Sequence, residues 1–422
     1  MVWLNARLLH HLGVPCIVKI RKIEERIINL TEPLYVNPDC VVRTEPNGVV
    51  ITPPSLYSAF IQVDSELATE LKKGTLRINT MPEDTYSILE ANNVISTKQY
   101  SPGRERIVKV EISGLPTQAL LDVTSACNCR CLTCYHIQDL DGYTPPLSDV
   151  LQRIMKLRTL GITLFEVTGG EPLLREDLAE ILGYIDDIGC LYYVVTNGEF
   201  LADINNRLSS KLQTGLGLAI SLDGVGELHN SIRQRPGLYE KMMKGMIRVA
   251  DNGIKLYLIA TIHSGNISAV PEMIEVAARF KTTLHLRPVI NTGNAARKNI
   301  SASDLSRYLP MYIGNPNVRN GFLSTRNEIP EAIWYGCGIR KRISINANGR
   351  LYPCVMDRSS RCDSILSYNQ ETLVEMLENE TKKKLDRHPK CRDCEYHMSD
   401  KIICGGFCRF SRRYQGEVRD GR

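Results

Sequence analysis

The chain has 422 residues, enough for about two or three domains, and its 43% of hydrophobic residues can supply a large core. The net charge of +5 is mild and there is no polybasic tail, which disfavours nucleic acid as the main partner. No apolar run reaches the roughly 18–20 residues of a membrane span, and the opening segment mixes His, Arg and Pro into its apolar residues without a small-residue cleavage site. A cytoplasmic protein with no signal peptide and no membrane partner is therefore expected.

Residues 1–110 read as a separate small domain. Two strands flank Pro46-Asn47-Gly48, a hairpin signal, and a third strand covers 58–63. Asp64-Ser65 can cap a helix over 66–73 that stops at Gly74, and a second helix is expected over 82–93 with Pro82 in its first turn. Strands followed by two short helices predict a winged-helix-like module, and 101–106 reads as a linker.

Residues 111–300 alternate strands and helices. Apolar strand patterns occupy 119–124, 163–168, 191–196, 216–222, 255–262 and 283–290, separated by helical patterns, several ending in glycine. This predicts an α/β domain with a parallel sheet covered by helices, either open or curved into a partial barrel. Residues 301–422 lose the period and are poor in contiguous apolar sequence, so their order is expected to depend on bound metal.

Ten of the 14 cysteines fall in two stretches, 127–134 and 354–408, with Cys337 just upstream of the second. In a large chain with a full core, this clustering points to metal rather than to disulfides. Cys16, Cys40 and Cys190 are expected to be small core hydrophobes. Cys127, Cys131 and Cys134 follow the first strand of the repeat, on the face where α/β folds bind ligands. Three thiolates on one loop can hold an iron–sulfur cubane and leave one iron without a protein ligand. A structural zinc ion takes four ligands, and no fourth is evident. Cys129 falls outside the x3–x2 spacing and reads as a bystander.

This C-x3-C-x2-C spacing after the first strand of a six-fold βα repeat resembles the radical S-adenosylmethionine superfamily. The resemblance implies a partial (β/α)6 TIM-like barrel and a [4Fe–4S] cluster whose open iron binds S-adenosylmethionine. It also implies a low-potential electron donor such as ferredoxin or flavodoxin. Thr133 departs from the aromatic or His usual before the third cysteine. The implied cofactor contacts are Gly169, Gly170, Glu171 and Pro172 after the second strand and Thr196 and Asn197 after the third. Ser221 and Asp223 after the fourth strand, and Arg287 on the sixth, complete the set. Glycines permit close approach of the chain to a ligand, polar groups can meet ribose hydroxyls, and an arginine can pair with a carboxylate. Taken singly, Thr196 and Arg287 read rather as a capping residue or a structural ion pair than as cofactor contacts. The segment 229–241 resembles that of peptide- and cofactor-maturing members.

In the C-terminal region, Cys337, Cys354, Cys391, Cys394, Cys404 and Cys408 resemble a SPASM or twitch-like extension with one or two auxiliary iron–sulfur clusters. A zinc ribbon is the alternative. The resemblance implies Cys337, Cys354 and Cys408 on one cluster and Cys391, Cys394 and Cys404 on the other. Nine residues rather than five separate Cys394 from Cys404, and no cysteine follows Cys408. One cluster is thus incompletely ligated, completed by Cys362 or by a non-cysteine ligand, or absent. His388 and His397 read as surface residues.

SPASM-containing enzymes mostly modify peptides or proteins, and the 1–110 region resembles a PqqD-like module that adds the leader of a ribosomal precursor peptide to a sheet edge. The leading expectation is a peptide maturase that abstracts hydrogen and produces a crosslink or oxidation. A cofactor-maturing enzyme acting on a tetrapyrrole or pterin-type molecule, an enzyme activator, and a non-enzymatic leader-binding scaffold are the alternatives. Asp122, Glu166 and Asp357 lie near the site segments, but no general base is assigned.

Overall fold

The computed structural model describes residues 17–19, 27–29, 34–46, 48–54, 60–63, 67, 75–76, 80–100, 106–290, 292–300, 315, 317–320, 342–354 and 362–385. Its first ten strands are short. They are β1 (Ile17–Lys19), β2 (Ile27–Asn29), β3 (Leu34–Val36), β4 (Val41–Glu45), β5 (Gly48–Thr52), β6 (Phe60–Val63), β7 (Thr75–Leu76), β8 (Thr80–Pro82), β9 (Ile95–Ser96) and β10 (Arg106–Lys109). Five form a mixed sheet in the order β1-β6-β5-β4-β10, while β2 pairs with β8 and β3 lies between β7 and β9. The predicted hairpin is β4–β5, with Glu45 opposite Gly48, whose φ of 139° is open to glycine. Pro82 ends β8, and helix α1 (Glu83–Ala91) starts at the next residue. Of the helix expected over 66–73, only helical Leu67 lies within the described residues. Residues 101–105 of the expected linker lie outside the described residues, and its last residue, Arg106, opens β10, which pairs in parallel with β4.

The second half of the fold runs β11 (Gln118–Asp122), α2 (Leu147–Thr159), β12 (Leu164–Thr168), α3 (Leu178–Asp187), β13 (Leu191–Thr196), α4 (Asn206–Thr214), β14 (Leu218–Ser221), α5 (Glu227–Arg233), α6 (Leu238–Asp251), β15 (Leu256–Ile262), α7 (Val270–Arg279), β16 (Leu284–Pro288), α8 (Gly293–Arg297), β17 (Val318–Asn320), β18 (Arg342–Ile345), β19 (Leu351–Tyr352) and α9 (Gln370–Leu385). The helices form where apolar residues recur every three to four positions. In α2, Val150, Ile154 and Leu157 are buried, and the chain leaves the helix through Gly161 at φ 91°. The six expected strands are β11 to β16, adjacent and parallel in sequence order. Two further strands extend this sheet in parallel, β17 beside β16 and β18 beside β11, and β19 adds one antiparallel strand. The architecture is the partial TIM-like α/β barrel, with C-terminal sequence completing the edge next to β11, the strand that leads into the cysteine loop.

Strand alternation divides each barrel strand between two environments. Phe165, Val167, Tyr192, Val194, Leu218 and Ile220 join the large core under the helices. On the other face, Leu164, Leu191, Tyr193, Ala219 and Ile259 pack against Val41, Val50 and Val108 of the N-terminal sheet. That sheet therefore closes the end of the barrel formed by the strand N-termini. Strand β5 is buried at all five positions because one face meets its own small core and the other meets the barrel.

A buried arginine fastens the two parts. Arg43, 1% exposed, donates through Nη1 to Pro116 O at 2.7 Å and Gly161 O at 2.9 Å, and through Nη2 to Leu115 O at 3.1 Å. Its charge is matched by Glu45 Oε1 at 2.5 Å. Removing one partner of a buried ion pair typically costs about 3–5 kcal/mol. Arg43→Ala is accordingly expected to lower unfolding stability by about that amount, read as a lower denaturation midpoint in urea.

Candidate functional site

The site begins where β11 and β12 end side by side. After β12 the chain turns through Gly169 and Gly170, and the loop leaving β11 lies directly upon them. Gly170 N donates to Thr124 O at 2.7 Å, and Glu171 N to Ala126 O at 2.8 Å. A Cβ on Gly169 would stand 2.2 Å from Thr124 O, and one on Gly170 would stand 2.0 Å from Ala126 O. The close approach these glycines permit is thus to the backbone that carries the cysteines. Arg175, almost fully buried, straps the same loop by donating to Val123 O at 2.7 Å and Pro145 O at 2.9 Å, while Asp177 neutralises it at 2.7 Å.

Glu171 is directed sideways across the strand ends. Its carboxylate accepts from Leu173 N at 3.0 Å, Thr196 Oγ1 at 2.7 Å and Asn197 N at 2.8 Å. Burial pushes its pKa up to about 7 against these donors. Pro172 opens the short 3-10 turn that Glu171 caps. Glu171, Thr196 and Asn197 were expected to touch cofactor; the structure brings them together and bonds them to one another, locking β12 to β13.

Cys127, Cys131 and Cys134 come together on the loop with Cys129 and Leu238. Cys129 and Cys131 are buried, Cys127 and Cys134 partly so. The Cys129 backbone N donates to Cys127 Sγ at 3.5 Å, and its thiol lies within hydrogen-bonding reach of the Cys127 and Cys131 sulfurs, which raises its own pKa and lowers theirs. Cys131 falls to about 6, chiefly through that hydrogen bond and then through the Arg233 charge, whereas burial pushes Cys134 up to about 12. Two thiols held low, Cys127 and Cys131, beside a third in Cys134, all in an apolar cradle, are a donor set suited to iron. Among the described residues, no three His, Cys, Asp or Glu side chains converge as ligands of a single metal ion. A cubane does not require such convergence, since each cysteine binds a different iron.

The far side of the loop is pinned by two helices. Leu132 N donates to Ile232 O at 2.8 Å and Arg130 N to Arg233 O at 3.3 Å, at the end of α5. Asn294 at the start of α8 donates through Nδ2 to Cys131 O and through its backbone N to Cys134 O, both at 2.9 Å. The guanidinium of Arg233 lies 3.7 Å from Cys131 Sγ and 2.8 Å from the fully buried Asp223. Asn128 accepts from Asn197 Nδ2 at 2.8 Å and donates to Glu199. Glu199 also takes Arg235 and Lys241, which with Asn128 hold its carboxyl at about 2.

The remaining expected residues are less tightly gathered. Ser221 ends β14 and is partly exposed, and Arg287 stands partly exposed on β16, opposite Thr261. Cys354 and Cys362 are partly buried against the main core. Cys337, Cys391, Cys394, Cys404, Cys408 and Asp357 lie outside the described residues. Asp122 lines a small polar cleft with His136, Asp139, Gly169, Gly170, Asn346 and Asn348, between the cysteine loop and the turn after β18. Glu166 sits deeper, 2.5 Å from Tyr193 OH and 3.8 Å from Arg342 Nη1. Sequence reading did not single out Arg175, Glu199, Arg233 or Asn294. Arg233 lay within the segment 229–241 already noted for its resemblance, and for the others the signal was proximity to the motifs, which a solvated helix face shares.

A thiol-bearing loop seated on a Gly-Gly turn at the mouth of a partial parallel barrel defines the class as a barrel protein with a cysteine-loop cofactor site. Residues 121–277 match the model of the Radical SAM superfamily, so the chain carries a radical SAM domain. Among curated relatives, Fe-coproporphyrin III synthase of Methanosarcina barkeri is 27% identical over 164 residues, 38% of this chain and 40% of that protein. PqqA peptide cyclase of a Methylobacterium species is 30% identical over 176 residues, 39% of this chain and 44% of that protein. The chain therefore spans less than half the length of these relatives. The solved structure of Streptococcus suis SuiB bound to its precursor peptide SuiA covers 89% of this chain and 95% of its own, with a TM-score of 0.62 at 15% identity, a likeness of fold.

Charge-assisted hydrogen bonds of the kind made by Glu199 contribute about 1.5–3 kcal/mol when shielded, less where their partners are exposed. Glu199→Gln is expected to destabilise the protein by about 1–2 kcal/mol at pH 7. Because the carboxyl is held below its ordinary value, the difference from wild type should shrink as pH falls from about 4.5 towards 2. Thermal unfolding of both cluster-free proteins across that range measures it.

Proposed function

We propose that this protein is a radical S-adenosylmethionine enzyme that acts on a peptide or protein, with a [4Fe–4S] cluster held by Cys127, Cys131 and Cys134. The observation carrying this reading is the cysteine loop itself, fixed by backbone contact to Gly169 and Gly170 at the barrel mouth. When bound, the cluster and S-adenosylmethionine supply one-electron cleavage to a hydrogen-abstracting 5′-deoxyadenosyl group, driven by a donor such as ferredoxin or flavodoxin. The chain orients and encloses that chemistry. Gly169 to Pro172, Thr196, Asn197 and Ser221 frame the cofactor side, Arg287 offers a cation to a carboxylate, and the N-terminal sheet closes the opposite end of the lumen to water.

Residues 111–300 form the catalytic unit in this reading. Residues 301–422 supply auxiliary iron–sulfur ligands from Cys337, Cys354, Cys391, Cys394, Cys404 and Cys408, with Cys362 in reserve. The peptide assignment draws support from the likeness over most of the chain to SuiB, whose solved structure contains a precursor peptide. A second reading, maturation of a tetrapyrrole cofactor, draws support from the 27% identity to Fe-coproporphyrin III synthase.

Anaerobically purified protein given a strong reductant is expected to release 5′-deoxyadenosine. Cys127→Ala, Cys131→Ala and Cys134→Ala together should abolish release, while Cys129→Ala should retain most of it. Persistence of 5′-deoxyadenosine in the triple variant would sink the cluster assignment. Incubation with a candidate precursor peptide and, separately, with iron coproporphyrin then distinguishes the substrate readings by the mass change of each.

Residues 1–110 serve in this reading as the barrel's floor as well as a leader-binding module, and truncation tests the first role. Deletion would expose Leu164, Leu191, Tyr193, Leu216 and Ile259, an apolar surface expected to aggregate. Gel filtration of protein lacking residues 1–110 should show aggregates. A soluble monomer with full iron content would show that the sheet is a detachable module rather than the barrel's floor.

A further inference from the structure

We propose that Arg233 is a positioning residue that raises the reduction potential of the cluster through an N–H directed at the Cys131 sulfur, and that Asp223 is the buried clamp that aims it. The inference rests on the cluster reading above and concerns how easily that cluster accepts its electron.

Asp223 is 0% exposed and committed on all sides. Its Oδ1 accepts from Thr261 N at 2.8 Å, its Oδ2 lies 2.8 Å from Arg233 Nη2, its backbone N donates to His229 Nδ1 at 3.2 Å, and its carbonyl accepts from Asn266 Nδ2 at 2.8 Å. Both carboxylate oxygens are turned into the protein, so a ribose hydroxyl at this strand end has Ser221 for a partner instead. The second terminal nitrogen of Arg233, Nη1, lies 3.7 Å from Cys131 Sγ, and the Arg233 carbonyl accepts from Arg130 N, fixing the same residue to the loop twice. The neighbouring Arg130 spends its Nη1 on the Cys127 and Cys129 carbonyls, not on sulfur.

A guanidinium at one corner of the cluster has a simple electrostatic consequence. Reduction adds one electron and no proton, and an N–H donor on a ligand sulfur stabilises the added negative charge more than the oxidised state. The Asp223 carboxylate offsets part of that charge effect but restricts the guanidinium to one direction, as a carboxylate orients a metal-ligating histidine. Without the clamp, the guanidinium would be free to turn towards solvent, since its side chain retains 13% exposure.

The test is an EPR-monitored redox titration of the full-length, reconstituted protein, following the signal that changes when S-adenosylmethionine is added. Arg233→Met alone would leave Asp223 buried and unpaired, so Arg233→Met is combined with Asp223→Asn, which can still accept from Thr261 N. This double variant should load iron as wild type does and show a tenfold lower ratio of reduced to oxidised cluster at fixed potential, about 59 mV more negative. Arg233→Lys, which keeps the charge, should recover at least half of that shift. An unchanged midpoint in the double variant would overturn the proposal. So would weakened S-adenosylmethionine binding at an unchanged midpoint, which would make Arg233 a cofactor ligand. Folded variants that all lose iron would make it a structural bracket and overturn it equally. If wild-type protein shows no S-adenosylmethionine-responsive signal, it is the cluster reading that fails.

Discussion

Two backbones at the barrel mouth approach so closely that no side chain fits between them. Any Cβ on Gly169 or Gly170 would fall within 2.2 Å of a carbonyl oxygen of the loop leaving β11. That contact sets the height and direction of the loop, and therefore where three thiols are presented relative to the strand ends. Ala at either position would force the loop away by more than an ångström, and the displacement would pass directly to Cys127. The motif's glycines are thus a structural requirement of the cysteine loop, and a cofactor on that loop inherits its precision from them.

Around this seat the protein uses paired charges as fasteners. Arg175–Asp177 grips the loop at its start, Asp223–Arg233 reaches the middle cysteine, and Glu199 joins Asn128 to Arg235 and Lys241. Each buried charge has a partner and further hydrogen bonds, the condition under which such pairs are tolerated in low dielectric. The Arg43–Glu45 pair performs the same service at the opposite end, where it binds the N-terminal sheet to three barrel carbonyls. The lumen is packed with Val41, Val50 and Val108 at its lower end, and at the upper end Asp122 and Asn346 line a polar cleft beside the cysteine loop.

Much of the barrel was legible in the sequence because its signal is local. Apolar strand runs alternating with glycine-terminated helices gave six strands in the right order, and the turn at Pro46-Asn47-Gly48 announced its hairpin. Strands β17 and β18 were not legible as barrel members, being short and separated from the repeat by irregular sequence. Partnership across the chain was invisible for the same reason. The continuous burial of β5 can be read as an apolar run, but nothing in Val49-Val50-Ile51 says that a barrel floor covers one face. The site motifs located Glu171, Thr196, Asn197 and Asp223, yet not that these side chains would bond to protein groups. Arg233 and Glu199 were hidden because single charges on a helix or turn look alike in sequence whether they face solvent or a cysteine.

The central claim is that Cys127, Cys131 and Cys134 carry the cluster that binds S-adenosylmethionine. It is tested most directly by low-temperature EPR of dithionite-reduced protein before and after S-adenosylmethionine is added, comparing wild type with the variant in which all three cysteines are alanine. The account predicts a signal in the wild type whose g-values move on addition, and no such responsive signal in the variant, whatever iron its C-terminal cysteines retain. A responsive signal that survives the triple replacement would contradict it.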